Sequence, residues 1–495
     1  MRRVSAVGLL LVSLAAAPSA GARPRPAITP DGLAAHVREL SDDRYAGREA
    51  TSPGGKAAAA YVATRFRAAG LVPVGGAGFL HPVQLVQVRV AAAAVQAGPT
   101  VVGAGVLARP ASDMPALGAN GPLWRASAAA PARPPPAGVV VALRLPTAPD
   151  AAIAALEAAM GAARMAGAVA LVAVTAGPPG DPVWARLEAS WARPAMLLPG
   201  RPRLPVAALS APAARTLFAP GELDGAPGPL GRDGGIILAQ AVEPLMSSNV
   251  IGRLPGRGAR AAEHLLVTAH WDHLGRCDPT GPDPICKGAV DNASGVAGLI
   301  ELARALVRGP RPARSILFIA TTAEEHGLLG ARAFLARPPV PRDSLVAGLN
   351  FDTIAAAGPP GPVTVLGEGL TTLDPLIARA ARGAGRTVIS NPSVQSFFRR
   401  SDNWAFVEAG IPVLALTSVF PAPGHESPSF ADYMANRYHQ PGDEWSAALD
   451  LSGAAADVEL ARRVLRLAAN ARTAPGWRPG RAPGRSEGAA PATRP

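Results

Sequence analysis

The chain has 495 residues, 48% of them hydrophobic and only 4% aromatic, with a formal net charge of +12. That length exceeds one ordinary core and points to two domains plus processing segments, while hydropathy that rests mainly on alanine argues against a membrane-embedded protein. The positive charge comes almost entirely from arginines scattered along the chain rather than clustered, which argues against a nucleic-acid partner.

Residues 1–22 read as a secretory signal. Arg2 and Arg3 give a positive start, Val7 to Ala17 a short apolar stretch, and Ala20-Gly21-Ala22 a small-residue cleavage signature. The apolar run is too short to span a bilayer comfortably, and no later segment offers an uninterrupted run of spanning length. The mature protein is therefore expected to be exported, to a periplasm or beyond, without stable membrane insertion. In an oxidising compartment Cys277 and Cys286 can close a short disulfide loop; the alternatives are two free thiols or metal ligands.

Residues 23–94 contain Pro53-Gly54-Gly55, a turn signal, and then a run from Lys56 to Gly70 that is rich in helix formers and stopped by glycine. Between 95 and 240 the texture changes: Gly and Pro are frequent, charges thin out, and no cluster of His, Asp or Glu occurs. Short strands are predicted at Gly138 to Leu143 and Ala168 to Val174, a helix at Ile153 to Met165 between them, and a loop at Pro131 to Pro136. This reads as a separate small α/β module.

Residues 241–472 alternate strand and helix. His264 to Ala269, Ser315 to Thr321, Val346 to Phe351 and Pro412 to Leu416 are apolar strand candidates. Val296, Leu299, Ile300, Ala303, Leu306 and Val307 recur at helical spacing, and Leu328 to Ala336 reads as a helix. The alternation implies an α/β fold: a mostly parallel or mixed central sheet with helices on both faces, whose functional groups sit past the carboxyl ends of the strands. Residues 473–495, rich in Arg, Pro, Gly and Ala, are expected to be a disordered tail.

Five short stretches at predicted strand ends or loops carry chemistry: Thr268-Ala-His270-Trp-Asp272-His273, Gly288-Ala-Val-Asp291-Asn292-Ala-Ser-Gly295, Thr322-Ala-Glu324-Glu325-His326, Leu349-Asn-Phe-Asp352 and Arg437-Tyr438-His439-Gln440-Pro441. Together they offer two histidines and three carboxylates suited to zinc, which accepts imidazole nitrogen and carboxylate oxygen readily. Two zinc ions about 3.5 Å apart can share a bridging carboxylate and a bridging water. Asp291 would bridge; His270 and Asp352 would complete one metal, Glu325 and His439 the other. Asp272 is placed to accept the second ring N–H of His270 and so fix its tautomer. Glu324, next to a ligand but not itself one, is placed to act as general base on the bridging hydroxide. His273, His326 and His425 are left over, with local roles expected. No Gly-x-Ser-x-Gly elbow occurs, which argues against a serine hydrolase.

These blocks, in this order, resemble the M28 family of zinc metallopeptidases. The segments Ser41 to Glu49 with Pro53-Gly54, and Ser248 to Gly256, resemble the family's N-terminal block and its lead-in to the first metal strand. The resemblance implies a zinc-exopeptidase-like α/β domain with two Zn2+ per chain, peptide or protein substrates, release of N-terminal residues, a cis Asp291–Asn292 bond, and Tyr438 near the substrate carbonyl as an oxyanion donor. Arg400-Ser401-Asp402-Asn403 resembles a block in which histidine is usual at position 403, so a substrate role there is in doubt. Residues 95–240 resemble a protease-associated (PA) domain inserted into such enzymes. Carboxypeptidases, glutaminyl cyclases and inactive receptor-like relatives share the scaffold and stay open as alternatives; the full ligand set and Glu324 weigh against the last two.

Overall fold

The computed structural model describes residues 28–483 except 77, 129–133, 279 and 423. The predicted signal segment, 1–22, and residues 484–495 of the predicted tail lie outside the described residues.

Four parallel strands lie side by side in the order Val413–Thr417, Leu345–Asn350, His264–His270 and Ser315–Thr321. Every residue of His264–His270 is buried. Its Leu265, Val267 and Ala269 face a core shared with the helices Pro53–Ala69, Gly295–Val307 and Ser452–Asn470. Its Leu266 faces the opposite core, with Phe334 and Phe406 from Leu329–Ala336 and Asn403–Glu408. Burial on both faces is why these strands read as unbroken apolar runs rather than alternating ones. Val363–Leu366 and Gly228–Leu254 flank the four antiparallel, so the sheet is mixed. The α/β expectation holds.

The helix expected from Lys56 begins earlier, at Pro53. Ser52 caps it by accepting the Gly55 N–H at 2.9 Å, and proline tolerates the first helical position because its missing N–H has no intrahelical partner. A Cβ on Gly54 would collide with the Tyr45 carbonyl, so the glycines serve close packing inside the first turn rather than a turn ahead of it. The helix ends at Gly70 in the left-handed region, as expected.

Within the predicted module, Val140–Arg144, Pro149–Met165 and Ala170–Val174 appear where expected. With Ala116–Ala126 and Val206–Leu209 the strands form a parallel set over separate hydrophobic cores. The predicted boundaries at 94/95 and 240/241 fall inside two long strands, Leu80–Ala97 and Gly228–Leu254, paired antiparallel from Leu80 with Val250 to Ala97 with Gly234. The chain thus passes between cores along a hydrogen-bonded ribbon that joins one 16-stranded sheet. The four alanines 91–94 blur the alternation that would have marked the first of these strands.

The tail expectation needs correction for its first part. Gly476 and Arg478 exchange main-chain bonds with Thr372 and Leu370, and the Trp477 indole donates to the Gly410 carbonyl at 2.8 Å. Composition missed this because one docked tryptophan and paired backbone outweigh flanking prolines. Cys277 and Cys286 form a disulfide. Among the described residues no helix is long and apolar enough to cross a membrane.

Candidate metal centre

Parallel strands end on one edge of the sheet, and the predicted residues gather there. His270 is the last residue of its strand, Glu324 and Glu325 follow Ser315–Thr321, and Asp352 follows Leu345–Asn350. Asp291 sits in a kink just before Gly295–Val307, and the Asp291–Asn292 bond is cis. Asn292 ties this kink to the third strand end by donating to the Phe351 carbonyl at 3.0 Å. His439 adopts φ +58° in the turn after the helix Pro428–Asn436.

The two oxygens of Asp291 face different imidazoles: Oδ1 lies 3.3 Å from His270 Nε2, and Oδ2 lies 3.3 Å from His439 Nε2. His270 Nε2 is also 3.6 Å from Asp352 Oδ1, and His439 Nε2 is 3.3 Å from Glu325 Oε2. Donor atoms converge in two groups of metal-binding compactness, His270–Asp291–Asp352 and His273–Asp291–Glu325. His273 belongs to the second group because its Nδ1 bonds Glu325 Oε1 at 2.8 Å. His439 is the better placed imidazole for an ion on that side. Its buried Nε2 is equidistant from two carboxylates yet makes no hydrogen bond of good geometry with either, whereas the His273 nitrogen facing Glu325 is already engaged.

The electrostatics say what such a hollow lacks. Burial disfavours charge on His270, but Glu324, Asp291 and Asp352 outweigh it and raise its pKa well above 6.5. Burial likewise opposes charge on His439, and Asp291 with Glu325 raises it to about 10. Burial pushes the Glu324 carboxyl well above its usual range; His270 opposes the rise, and Glu325 and Asp352 reinforce it. Carboxylates crowded in a low-dielectric site recruit protons when no other cation is at hand. Divalent ions between these donors would meet that demand with the oxygen and nitrogen ligands zinc prefers, so the residues fit the metal.

Asp272 touches His270 in an unexpected way. Its main-chain carbonyl lies 3.2 Å from His270 Nδ1, while its carboxylate stands 3.9 Å away and accepts the Glu324 N–H at 3.2 Å. Burial raises the Asp272 carboxyl to about 8. Glu324 approaches His270 Nε2 no closer than 3.9 Å and faces the hollow from the side. Tyr438 stacks on His439, ring centroids 3.8 Å apart, and lines the same pocket. From the candidate ligands the pocket runs to an apolar wall that includes Leu366, Phe397, Phe420, Phe430 and Met434. Asn403 is buried at its edge and donates to the Phe398 carbonyl at 2.6 Å.

Three supporting side chains escaped sequence reasoning. Arg48 is fully buried and donates to the carbonyls of Leu40, Trp271, Lys287 and Gly288, stitching together the loops that carry His270 and Asp291. Asp443 accepts the N–H groups of Val290 at 2.8 Å and Asp291 at 3.0 Å. His273 was visible only as a spare histidine. Arg48 lies in the Ser41 to Glu49 block read as a resemblance, but nothing in the string of letters shows which carbonyls it would meet.

Residues 249–464 match the model described as "Peptidase family M28". A probable lipoprotein aminopeptidase, LpqL, of Mycobacterium tuberculosis is 29% identical over 187 residues, 35% of this chain and 35% of that protein. Aminopeptidase YwaD of Bacillus subtilis is 36% identical over 89 residues, 18% of this chain and 17% of that protein. The alignments thus span about a third or less of these relatives' length. Among solved structures, an aminopeptidase from Aneurinibacillus sp. strain AM-1 shares the fold with a TM-score of 0.51 at 17% identity, over 90% of this chain and 94% of that one.

Proposed function

With residues 249–464 belonging to peptidase family M28, we propose that the protein is a dizinc metallopeptidase that releases N-terminal residues from peptides. The observation that carries this reading is Asp291 presenting one oxygen to His270 and the other to His439, each 3.3 Å away. His270, Asp291 and Asp352 would hold one ion, and Asp291, Glu325 and His439 the other, with His273 steadying Glu325. Zinc bound by these residues would supply Lewis acidity toward a scissile carbonyl and lower the pKa of water. Glu324, which lines the same pocket beside Glu325 without sharing its place in either ligand group, takes a proton from the attacking water and passes it to the leaving nitrogen. The Tyr438 hydroxyl donates to the carbonyl oxygen as negative charge grows there. Asp272 sets His270 through its main-chain oxygen and the Glu324 turn through its carboxylate.

The amino-terminal direction is supported by relatives named as aminopeptidases. Export, through the 1–22 segment, accords with the Cys277–Cys286 disulfide. The module around 95–240 is read as PA-like, on its set of parallel strands over separate hydrophobic cores between two returning strands.

The test is a panel of amino-acid p-nitroanilides, carboxyl-terminal peptide substrates and N-terminal glutamine peptides, each with chelator and after zinc is restored. Turnover of the anilides, abolished by chelation and recovered with zinc, is the expected result. Hydrolysis only at carboxyl termini, or cyclisation of glutamine, reverses the assignment, and a folded protein inert toward all three ends it.

A further inference from the structure

The turn that carries Glu324 and Glu325 is held in part from outside the M28 domain. Ala323, Gly327 and Leu328 all have positive φ, so the turn is tightly wound, and the Glu324 carbonyl closes it by accepting from Gly327 and Leu328. Such a backbone persists only where its surroundings over-determine it. Part of that surrounding is the segment 195–203, contributed by the chain between the two long ribbon strands. Ala195–Leu197 pairs antiparallel with Leu80–Ala97. Met196 and Leu198 then pack in one buried cluster with Ala323 and Leu329, the residues on either side of the acidic turn. At the end of the segment Arg203 extends Nη2 to the His326 carbonyl at 3.0 Å and the Met196 carbonyl at 3.1 Å. Among the described residues no carboxylate forms an ion pair with Arg203. Burial, with Arg109 and Arg332 nearby, pushes it down to about 10. A half-buried cation without a counter-ion is costly, and here its strongest visible return is the grip on the residue after Glu325.

We propose that Arg203 is a positioning residue for the hydrolysis, clamping the Glu324–Glu325 turn through the His326 carbonyl so that the inserted module completes the acidic side of the site. The inference rests on the peptidase reading above. It makes the module a working part of the site: seating of the 195–203 segment sets how firmly Glu325 is presented to a metal and where Glu324 points.

The test uses the full chain with Arg203→Met, which keeps the aliphatic stem and its packing, and Arg203→Lys, which retains one cationic donor. For Arg203→Met, kcat on an anilide substrate should fall about 10- to 100-fold with KM changed little, the range seen when a group supporting a ligand is lost. Arg203→Lys should recover part of the loss, and added guanidinium at millimolar level should partly restore the Met variant. The visible spectrum of the cobalt(II)-loaded Met variant should shift relative to the parent, reporting altered ligation without reference to turnover. An unchanged kcat per folded molecule together with a superimposable cobalt spectrum overturns the proposal, and so does a loss confined to melting temperature. If the parent protein hydrolyses no peptide, the peptidase reading fails by itself, while the cobalt spectrum still decides whether Arg203 holds the turn.

Discussion

Asp443 Oδ2 accepts the main-chain N–H of Asp291 at 3.0 Å, so the loop that follows His439 also holds the carboxylate central to the candidate metal site. Its other oxygen takes the Val290 N–H, and Tyr433 donates to Oδ2 at 3.1 Å. Asp443→Ala leaves three buried donors unpaired, each costing about 1–3 kcal/mol. Zinc affinity, read by competition with a chromophoric chelator, is expected to drop about 10- to 100-fold. Parental affinity in this variant would show that Asp291 is set by its own kink alone.

Glu324→Gln is nearly isosteric and removes proton transfer while leaving the expected ligands in place. Zinc per chain should stay at the parental value and kcat should fall about 10²- to 10⁴-fold. Concurrent loss of metal, by elemental analysis, would instead make Glu324 a ligand.

Arg48 meets four carbonyls with a planar fork of donors. Arg48→Met strands those acceptors and should cost about 3 kcal/mol or more; Arg48→Lys should recover little, since an ammonium cannot reproduce the fork. Urea midpoints of the two variants settle this: near-parental stability for the lysine variant would reduce Arg48 to a point charge.

The Cys277–Cys286 bridge closes a loop of sequence separation 9. Constraint of so short a loop in the unfolded chain is worth about 2–3 kcal/mol. Paired Cys277→Ser and Cys286→Ser changes should lower the melting temperature, and reductant should then have no further effect. A reductant response that survives the double change would rule the bridge out as its cause.

On the far side of the Gly295–Val307 helix, Glu301 has its pKa lowered: burial works against ionisation, and His36 and Arg304 overcome it. A depressed carboxyl contributes stability above its unfolded pKa, near 4.5, and loses it as pH falls through the lower folded value. The parent should therefore lose stability between about pH 4.5 and the folded pKa more steeply than Glu301→Gln. Parallel curves of unfolding midpoint against pH would remove Glu301 from the acid response.

The convergence of the candidate ligands was legible because their chemistry lies in residue identity and their placement follows from topology. Parallel strands that are apolar throughout must end on a common edge, so His270, Glu325 and Asp352 meet once the strands are recognised. What could not be read are contacts in which a side chain meets main chain far away in sequence. Arg48 with Gly288 and Asp443 with Asp291 leave no trace in spacing or periodicity, because a carbonyl or N–H has the same letter whatever it bonds. Asp272 shows the same limit inside the site: its presence was anticipated, yet the atom facing His270 is its backbone oxygen. The ribbon was obscured by alanines 91–94, and the docking of Trp477 by the prolines and glycines around it.

The ribbon has a mechanical corollary. Two bodies connected by a floppy tether can wobble independently, but Leu80–Ala97 is laddered to residues 234–250 along its length, with one bulge between Ala239 and Gln240. A load placed on the outer module is passed along that beam toward the edge that carries the candidate site instead of being absorbed at a joint.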